Sequence, residues 1–137
     1  MTNENLIQTL HEVHLKATKA RIQILASITR SETPLTITDV CNSVSDSIDQ
    51  STVFRNLETL CKKNLVRKTI FNTDRSYYEW IKPQDQHYVI CEKCARVEKL
   101  TFCPFREIDA QILNNSKIFD SINHQHLTIY GLCKNCS

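Results

Sequence analysis

Residues 50–80 read Gln50-Ser51-Thr52-Val53-Phe54-Arg55-Asn56-Leu57-Glu58-Thr59-Leu60-Cys61-Lys62-Lys63-Asn64-Leu65-Val66-Arg67-Lys68-Thr69-Ile70-Phe71-Asn72-Thr73-Asp74-Arg75-Ser76-Tyr77-Tyr78-Glu79-Trp80. Two periodicities meet in this stretch. Val53, Leu57, Leu60 and Cys61 recur at helical spacing and form the buried stripe of a helix over residues 50–63. Asp49 or Ser51 can cap its start, and Asn64 can take the left-handed position after its end. Residues 65–71 and 76–80 then read as strands, with Asn72-Thr73-Asp74-Arg75 as the hairpin turn.

Upstream, Leu6, Leu10, Val13 and Ala17 give a first amphipathic helix, and Ile22, Leu25, Ala26 and Ile28 a second, which Thr33-Pro34 stops. Thr36, with Asp39 three residues on, caps a short helix through Val44. Helices followed by a β-hairpin are the order of a winged helix-turn-helix. Downstream of a hinge at Lys82-Pro83-Gln84-Asp85, residues 88–90 and 97–100 read as strands. A helix is marked by Phe105, Ile108, Ile112 and Leu113, and a last strand covers 127–132. The expected fold class is α+β: a winged-helix domain over 1–82, then a small α/β domain over 83–137. A unit of about 50 residues usually needs a staple, a metal or a partner.

The staple is legible. Cys91-Glu92-Lys93-Cys94 and Cys133-Lys134-Asn135-Cys136 are two C-x₂-C pairs with 38 residues between them. Each pair can turn as a knuckle, and four thiolates complete the closed tetrahedron of structural zinc, one ion per chain. With no open position for water, that ion is not catalytic. A redox C-x-x-C is the competing reading, but such motifs open helices, whereas both pairs here end strands. Seven cysteines, an odd count, argue against a complete disulfide framework. Cys41 and Cys61 read as small buried hydrophobes. Cys103 reads the same way unless it faces a second metal, where its thiolate favours zinc.

The chain has 137 residues, 41% hydrophobic and 23% charged, and a formal net charge of +2. Residues 1–82 hold 11 Lys/Arg against 9 Asp/Glu, and residues 83–137 hold 6 against 6, which does not by itself establish nucleic-acid binding. No apolar run approaches the roughly 18 residues of a membrane helix. The first residues lack the blocks of a signal peptide, so a cytoplasmic protein without a membrane role is expected. On the 50–63 helix, Ser51, Phe54, Arg55 and Glu58 lie off the buried stripe, and Ser51, Thr52, Phe54 and Arg55 are the candidates for DNA contact. A ring can pack on thymine methyls and a guanidinium can bond guanine or phosphate. Lys16, Lys19 and Arg21 on one side, and Arg67, Lys68 and Arg75 in the wing, supply phosphate contacts. The competing readings are a Phe54 buried against a neighbour and a winged helix that binds protein.

These motifs resemble one family. Thr18-Lys19-Ala20-Arg21-Ile22-Gln23-Ile24-Leu25, Ser51-Thr52-Val53-Phe54-Arg55-Asn56-Leu57, the first knuckle and Tyr130-Gly131-Leu132-Cys133-Lys134-Asn135-Cys136 are similar, in order, to motifs of the ferric-uptake-regulator family. The resemblance implies a homodimer that binds inverted repeats in double-stranded DNA when charged with a regulatory metal. Members usually repress metal-uptake or stress genes. The family's Tyr-Arg pair carries over to Phe54 and Arg55, with loss of the tyrosine hydroxyl.

The resemblance also implies metal sites, and here the chain departs from the pattern. Iron and peroxide sensors usually carry a His-rich run before the first knuckle, where this chain has Gln84-Asp85-Gln86-His87-Tyr88. The inter-domain site's wing carboxylate matches Glu79, but its histidine partners fall on Pro34, Gln86 and Tyr88. For the site within the dimerisation domain, Asp85 and His87 match with exchanged order. Glu107 matches if one residue is inserted, and the last histidine falls on Gln125, flanked by His124 and His126. The expectation is a zinc-uptake-regulator-like repressor with a second, regulatory divalent metal, zinc favoured over Fe²⁺ or Mn²⁺. The alternatives are an iron- or peroxide-responsive member and a zinc-stabilised DNA- or protein-interaction module that no longer senses metal. An enzyme acting on a small organic substrate is not expected, since the H-x-E element that accompanies P-C-x-x-C in zinc deaminases is missing.

Overall fold

The computed structural model describes residues 1–71, 74–105 and 107–137, and it separates into two compact units, Met1–Ile81 and Lys82–Ser137. The first unit opens with α1 (Asn3–Glu12), whose Thr2 cap accepts from the Asn5 amide and whose Leu6 and Leu10 are buried. It ends sooner than its apolar spacing implies, because Val13 is the C-cap and His14 turns to a positive φ of 61°. Leu15 and Ala17 reach the core from the connecting segment instead.

Thr18 then caps α2 (Lys19–Arg30). The two-residue strand β1 (Leu35–Thr36) has no sequence signature. α3 (Ile37–Ser43) starts on the Thr36/Asp39 capping box. α4 (Gln50–Lys62) is capped by Asp49, whose side chain accepts from the Thr52 amide at 2.7 Å. Asn64, at φ 57°, ends that helix in the left-handed conformation.

β2 (Val66–Ile70) and β3 (Ser76–Trp80) pair antiparallel from Val66↔Trp80 to Ile70↔Ser76, and β1 adds to the free edge of β3. Asn72 and Thr73 of the expected turn lie outside the described residues. Leu6, Leu10, Ile24, Leu25, Ile28, Val40, Val53, Leu57 and Leu60 form one core, each stabilising the fold by about 1.5–3 kcal/mol through burial. This unit is a winged helix-turn-helix, with β2–β3 as the wing.

The second unit is a three-stranded sheet in the order β5–β4–β6, built from β4 (His87–Cys91), β5 (Val97–Lys99) and β6 (Leu127–Gly131). β4 and β5 are antiparallel; β4 and β6 run parallel from His87↔Leu127 to Cys91↔Gly131. A parallel pair needs a crossover, and α5 (Ile108–Asn115) supplies it. This helix starts after Phe105 and buries none of its residues. The buried set of the unit is small: Gln86, His87, Tyr88, Ile90 and Cys91. Phe102, Ile112, Ile118, Phe119, Ile129 and Leu132 are all exposed. No helix among the described residues is long and apolar enough to cross a membrane.

Candidate metal centre and nucleic-acid interface

The parallel pairing of β4 with β6 determines where the cysteines meet. Cys91 ends β4 opposite Gly131, and the Glu92 amide donates to the Gly131 carbonyl at 2.8 Å, so both strands leave the sheet side by side. Each then turns back on itself. The Ala95 amide reaches the Cys91 carbonyl at 2.9 Å with Ala95 at φ 61°, and the Cys136 amide reaches the Cys133 carbonyl at 2.9 Å. The Sγ atoms of Cys91, Cys94, Cys133 and Cys136 all lie within 4.8 Å of one another, and Cys94 and Cys133 are 3.7 Å apart. Four sulfurs on a tetrahedral zinc, at 2.3 Å from it, stand about 3.8 Å from each other. The donor set therefore fits such an ion closely.

The electrostatics of the cluster favour one. The Cys133 amide donates to Cys91 Sγ at 3.4 Å; with the Cys94 amide, it lowers the Cys91 thiol to about 6. Cys133 is lowered too, chiefly by the Cys136 thiol beside it, and Cys136 in turn is pushed up to about 12 by Cys133. Four crowded sulfurs thus shed their first protons easily and retain the last, and a bound dication removes that retention. All seven cysteines are thiols, and Cys41 and Cys61 pack half-buried against the first unit's core, where burial raises the Cys61 thiol.

On α4 the buried face is Val53, Asn56, Leu57 and Leu60, while Cys61 is only half-buried. Ser51 and Arg55 are exposed and Thr52 half-buried; Phe54 stands 47% exposed, so it is not a core ring. Arg55 lies back along the helix with Nη2 3.5 Å from Thr52 Oγ1. Thr36, Ile37, Asp39, Phe54, Lys68, Arg75 and Tyr78 line a cleft of about 560 Å³ between the start of α3 and the wing, to which α4 contributes Phe54.

The cations around α4 divide into two groups. Lys16, Lys19 and Arg75 are exposed. Arg21 is drawn inward: its Nε donates to Asn56 Oδ1 at 3.0 Å and its Nη1 to the Lys16 carbonyl at 2.8 Å, bracing α2 against α4. Asn56, which the apolar pattern leaves unnoticed, completes that brace by donating to the Thr52 carbonyl. Arg67 pairs with the buried Glu79 at 3.3 Å across the wing ladder. Lys68 pairs with Glu58 at 3.2 Å and lies over the Tyr78 ring.

The residues expected at a regulatory site are gathered only in part. His87 is 3% exposed. Its Nδ1 accepts from the Leu127 amide at 3.2 Å, and its Nε2 lies 3.3 Å from Cys103 Sγ. Asp85 accepts from the Gln125 amide at 3.1 Å, with His124 Nδ1 at 3.6 Å from its other oxygen. Glu107 and His126 are exposed, and Glu79 is engaged by Arg67. The α5 carboxylate that meets this region is Asp109, which accepts from Gln125 Nε2. Neither Asp109 nor Gln125 is among the candidates from sequence: Gln125 stands where the family has a histidine, and Asp109 lies two residues beyond Glu107. Among the described residues, only the four knuckle cysteines form a group of three or more such ligands within reach of one ion.

Comparison with known proteins agrees with this geometry. The model of the ferric uptake regulator family matches residues 12–130. The peroxide-responsive repressor PerR of Staphylococcus aureus strain Mu50 is 24% identical over 136 residues, covering 97% of this chain and 90% of that protein. The crystal structure of the Vibrio cholerae ferric uptake regulator superposes with a TM-score of 0.79 at 21% identity, covering 93% of this chain and 98% of the other. The Helicobacter pylori ferric uptake regulator, described with three functional metal binding sites, superposes with a TM-score of 0.77 at 19% identity, covering 99% and 94%. The chain belongs to the ferric uptake regulator family, and it is a DNA-binding, metal-binding transcription regulator rather than an enzyme.

Proposed function

We propose that the chain works as a homodimeric repressor that binds an inverted-repeat operator and is controlled by a second divalent metal, zinc favoured, besides one structural zinc on the four knuckle cysteines. The observation that carries this reading is the pairing, in one chain, of a closed four-sulfur cluster with a helix whose buried face is complete and whose outer face still carries an exposed Phe54 beside Arg55. Phe54 offers apolar contact to thymine methyls and Arg55 a bidentate fork to guanine. Ser51 and Thr52, at the helix start, face the same groove. Lys16, Lys19 and Arg75 take phosphates on either side, with Arg67 and Lys68 tied to carboxylates until DNA competes for them.

The exposed apolar residues of the second unit, Phe102, Ile112, Ile118, Phe119, Ile129 and Leu132, supply the face on which two chains dimerise. A dimer places two α4 helices at successive major grooves when they stand about 34–36 Å apart. A regulatory ion acts only if it binds that arrangement more tightly than others. Its ligands come from Asp85, His87 and His124, with Asp109 and the buried, unpartnered Gln125 Oε1 as further oxygens. Zinc is favoured because Gln86 and Tyr88 stand where the family's iron and peroxide sensors carry histidines. The cytoplasm is the compartment in which such a protein meets its DNA.

A second reading, peroxide response, is favoured by the similarity to the staphylococcal repressor along 97% of this chain. The test of DNA recognition is selection of bound duplexes from a random-sequence pool by zinc-loaded protein. An enriched inverted repeat is expected; a pool with no enriched sequence overturns the proposal.

A further inference from the structure

Asn56 is the polar member of the buried face of α4, among Val53, Leu57 and Leu60. A buried amide is costly unless its groups are paired. Both ends of this one are: Oδ1 accepts from Arg21 Nε at 3.0 Å, and Nδ2 donates to the Thr52 carbonyl at 2.8 Å. Arg21 Nη1 in turn donates at 2.8 Å to the Lys16 carbonyl, which also accepts from the Thr18 amide at 3.0 Å. We propose that Arg21 is a positioning residue for DNA recognition: held through Asn56, its guanidinium fixes the rotation of α4 and ties the outer face of that helix to the segment carrying Lys16 and Lys19. This rests on the reading of α4 as the DNA-reading helix, and it names the device that aims it.

Apolar burial alone aims a helix only loosely. It is non-directional, and a core of suitable volume loses uniqueness before it loses stability. Side-chain tips stand about 5–6 Å from a helix axis, so a rotation of about 20° carries them by about 2 Å. Recognition groups work within about 0.5 Å of their geometry. Hydrogen bonds from a planar guanidinium supply the missing direction, and a fully paired buried network is rigid. The Asn56 amide ends on the Thr52 carbonyl, in the helical turn that also carries Ser51, Phe54 and Arg55. The restraint is therefore applied where the proposed readers stand.

The second donor gives the brace its reach. The Lys16 carbonyl lies in the turn that leads into α2, and the side chains of Lys16 and Lys19 are exposed there. Phosphate contacts set orientation and base contacts read sequence. One guanidinium bonded to both segments holds the two kinds of contact in one register. Its Nε and Nη1 are turned inward, so the fork matters here rather than the charge. Lysine at this position keeps the charge as a single point donor and cannot span Asn56 Oδ1 and the Lys16 carbonyl in the same plane.

Full-length, zinc-loaded protein is titrated with the inverted-repeat duplex selected by the parent and with a random duplex, at one salt concentration. The variants are Arg21→Lys and the double replacement Arg21→Met with Asn56→Leu, which leaves neither side chain of the pair buried without its partner. Circular dichroism checks their fold. In both variants operator affinity is expected to fall about ten-fold further than random-duplex affinity, roughly the loss of one bidentate base contact. Asn56→Leu alone should show the same loss, and the two replacements should not add, because they break one link. An operator-to-random ratio equal to the parent's in folded Arg21→Lys or the folded double variant overturns the inference and leaves α4 as the reading helix. Equal losses on both duplexes, with a salt slope shallower by about one, make Arg21 a phosphate contact and also overturn it. A pool from which the parent enriches no duplex overturns both this inference and the reading beneath it.

Discussion

Arg55 and Lys68 look alike in the sequence as cations near α4, yet the structure holds them differently. Arg55 extends from the exposed face of α4 and is held only loosely, by a 3.5 Å contact to Thr52. Arg55→Ala should weaken operator binding by about 1–3 kcal/mol and leave random duplex little changed, if the guanidinium reads a base; fluorescence anisotropy on both duplexes checks this. Lys68 is held by Glu58, whose hydrogen bond is the largest cause of its raised pKa. Glu58→Gln should release it and strengthen binding to any duplex, with a steeper salt dependence. Asp49 has the pH-sensitive role. The Thr52 hydrogen bonds hold its carboxyl below the usual 3.8. A depressed carboxylate contributes stability above its ordinary value and loses it as pH falls through the lowered one. Protection of the Thr52 amide from exchange should therefore drop in acid, whereas Asp49→Asn, which keeps a capping oxygen, should remove that pH dependence. Residue identity gave these candidates from sequence, but not their partners. Nothing in the string says that Arg21 turns in to Asn56, or that Glu79 faces Arg67, because both pairs depend on how elements pack.

At the scale of elements, the best-read parts were those with a strong local cause. The helix at 50–62 combines a cap, an apolar stripe and a left-handed Asn64, and the wing strands are rich in β-branched and aromatic residues, so both are legible within a residue or two. β1 was not, because two residues cannot show a period, and it exists only by pairing with Tyr77 and Tyr78. α5 starts later than Phe105, since none of its apolar residues is buried and they mark a face rather than a boundary. The knuckles were legible from spacing alone, and the β4–β6 pairing is what makes the spacing effective. If that cluster holds the structural zinc, Cys94→Ser should release it and loosen the second unit, whose buried set is too small to hold without a staple. Zinc content per chain and gel-filtration behaviour check this; full zinc content with an unchanged assembly would contradict it. Thr36→Ala, by comparison, removes one capping box and should cost about 0.5–2 kcal/mol in chemical denaturation with zinc content unaltered.

For the whole molecule, the chain divides at Ile81 and Lys82 into one unit that presents α4 and another that presents metal ligands and exposed apolar side chains. That division matches the chemistry each half carries. Sequence spacing reveals the winged helix and the four sulfurs, whereas the proposed sensory ligands stay ambiguous. Asp109 and Gln125 come together only through the crossover, and His87 acquires Cys103 as a neighbour only through the fold. Metal in the second unit is proposed to govern DNA binding by the first. That control is tested most directly by titrating zinc into protein that holds only its structural ion while measuring operator affinity. The account predicts affinity that rises as one further zinc per chain binds, with the rise blunted in His87→Ala. Operator affinity indifferent to that second zinc would contradict it and identify a DNA-binding module that no longer senses metal.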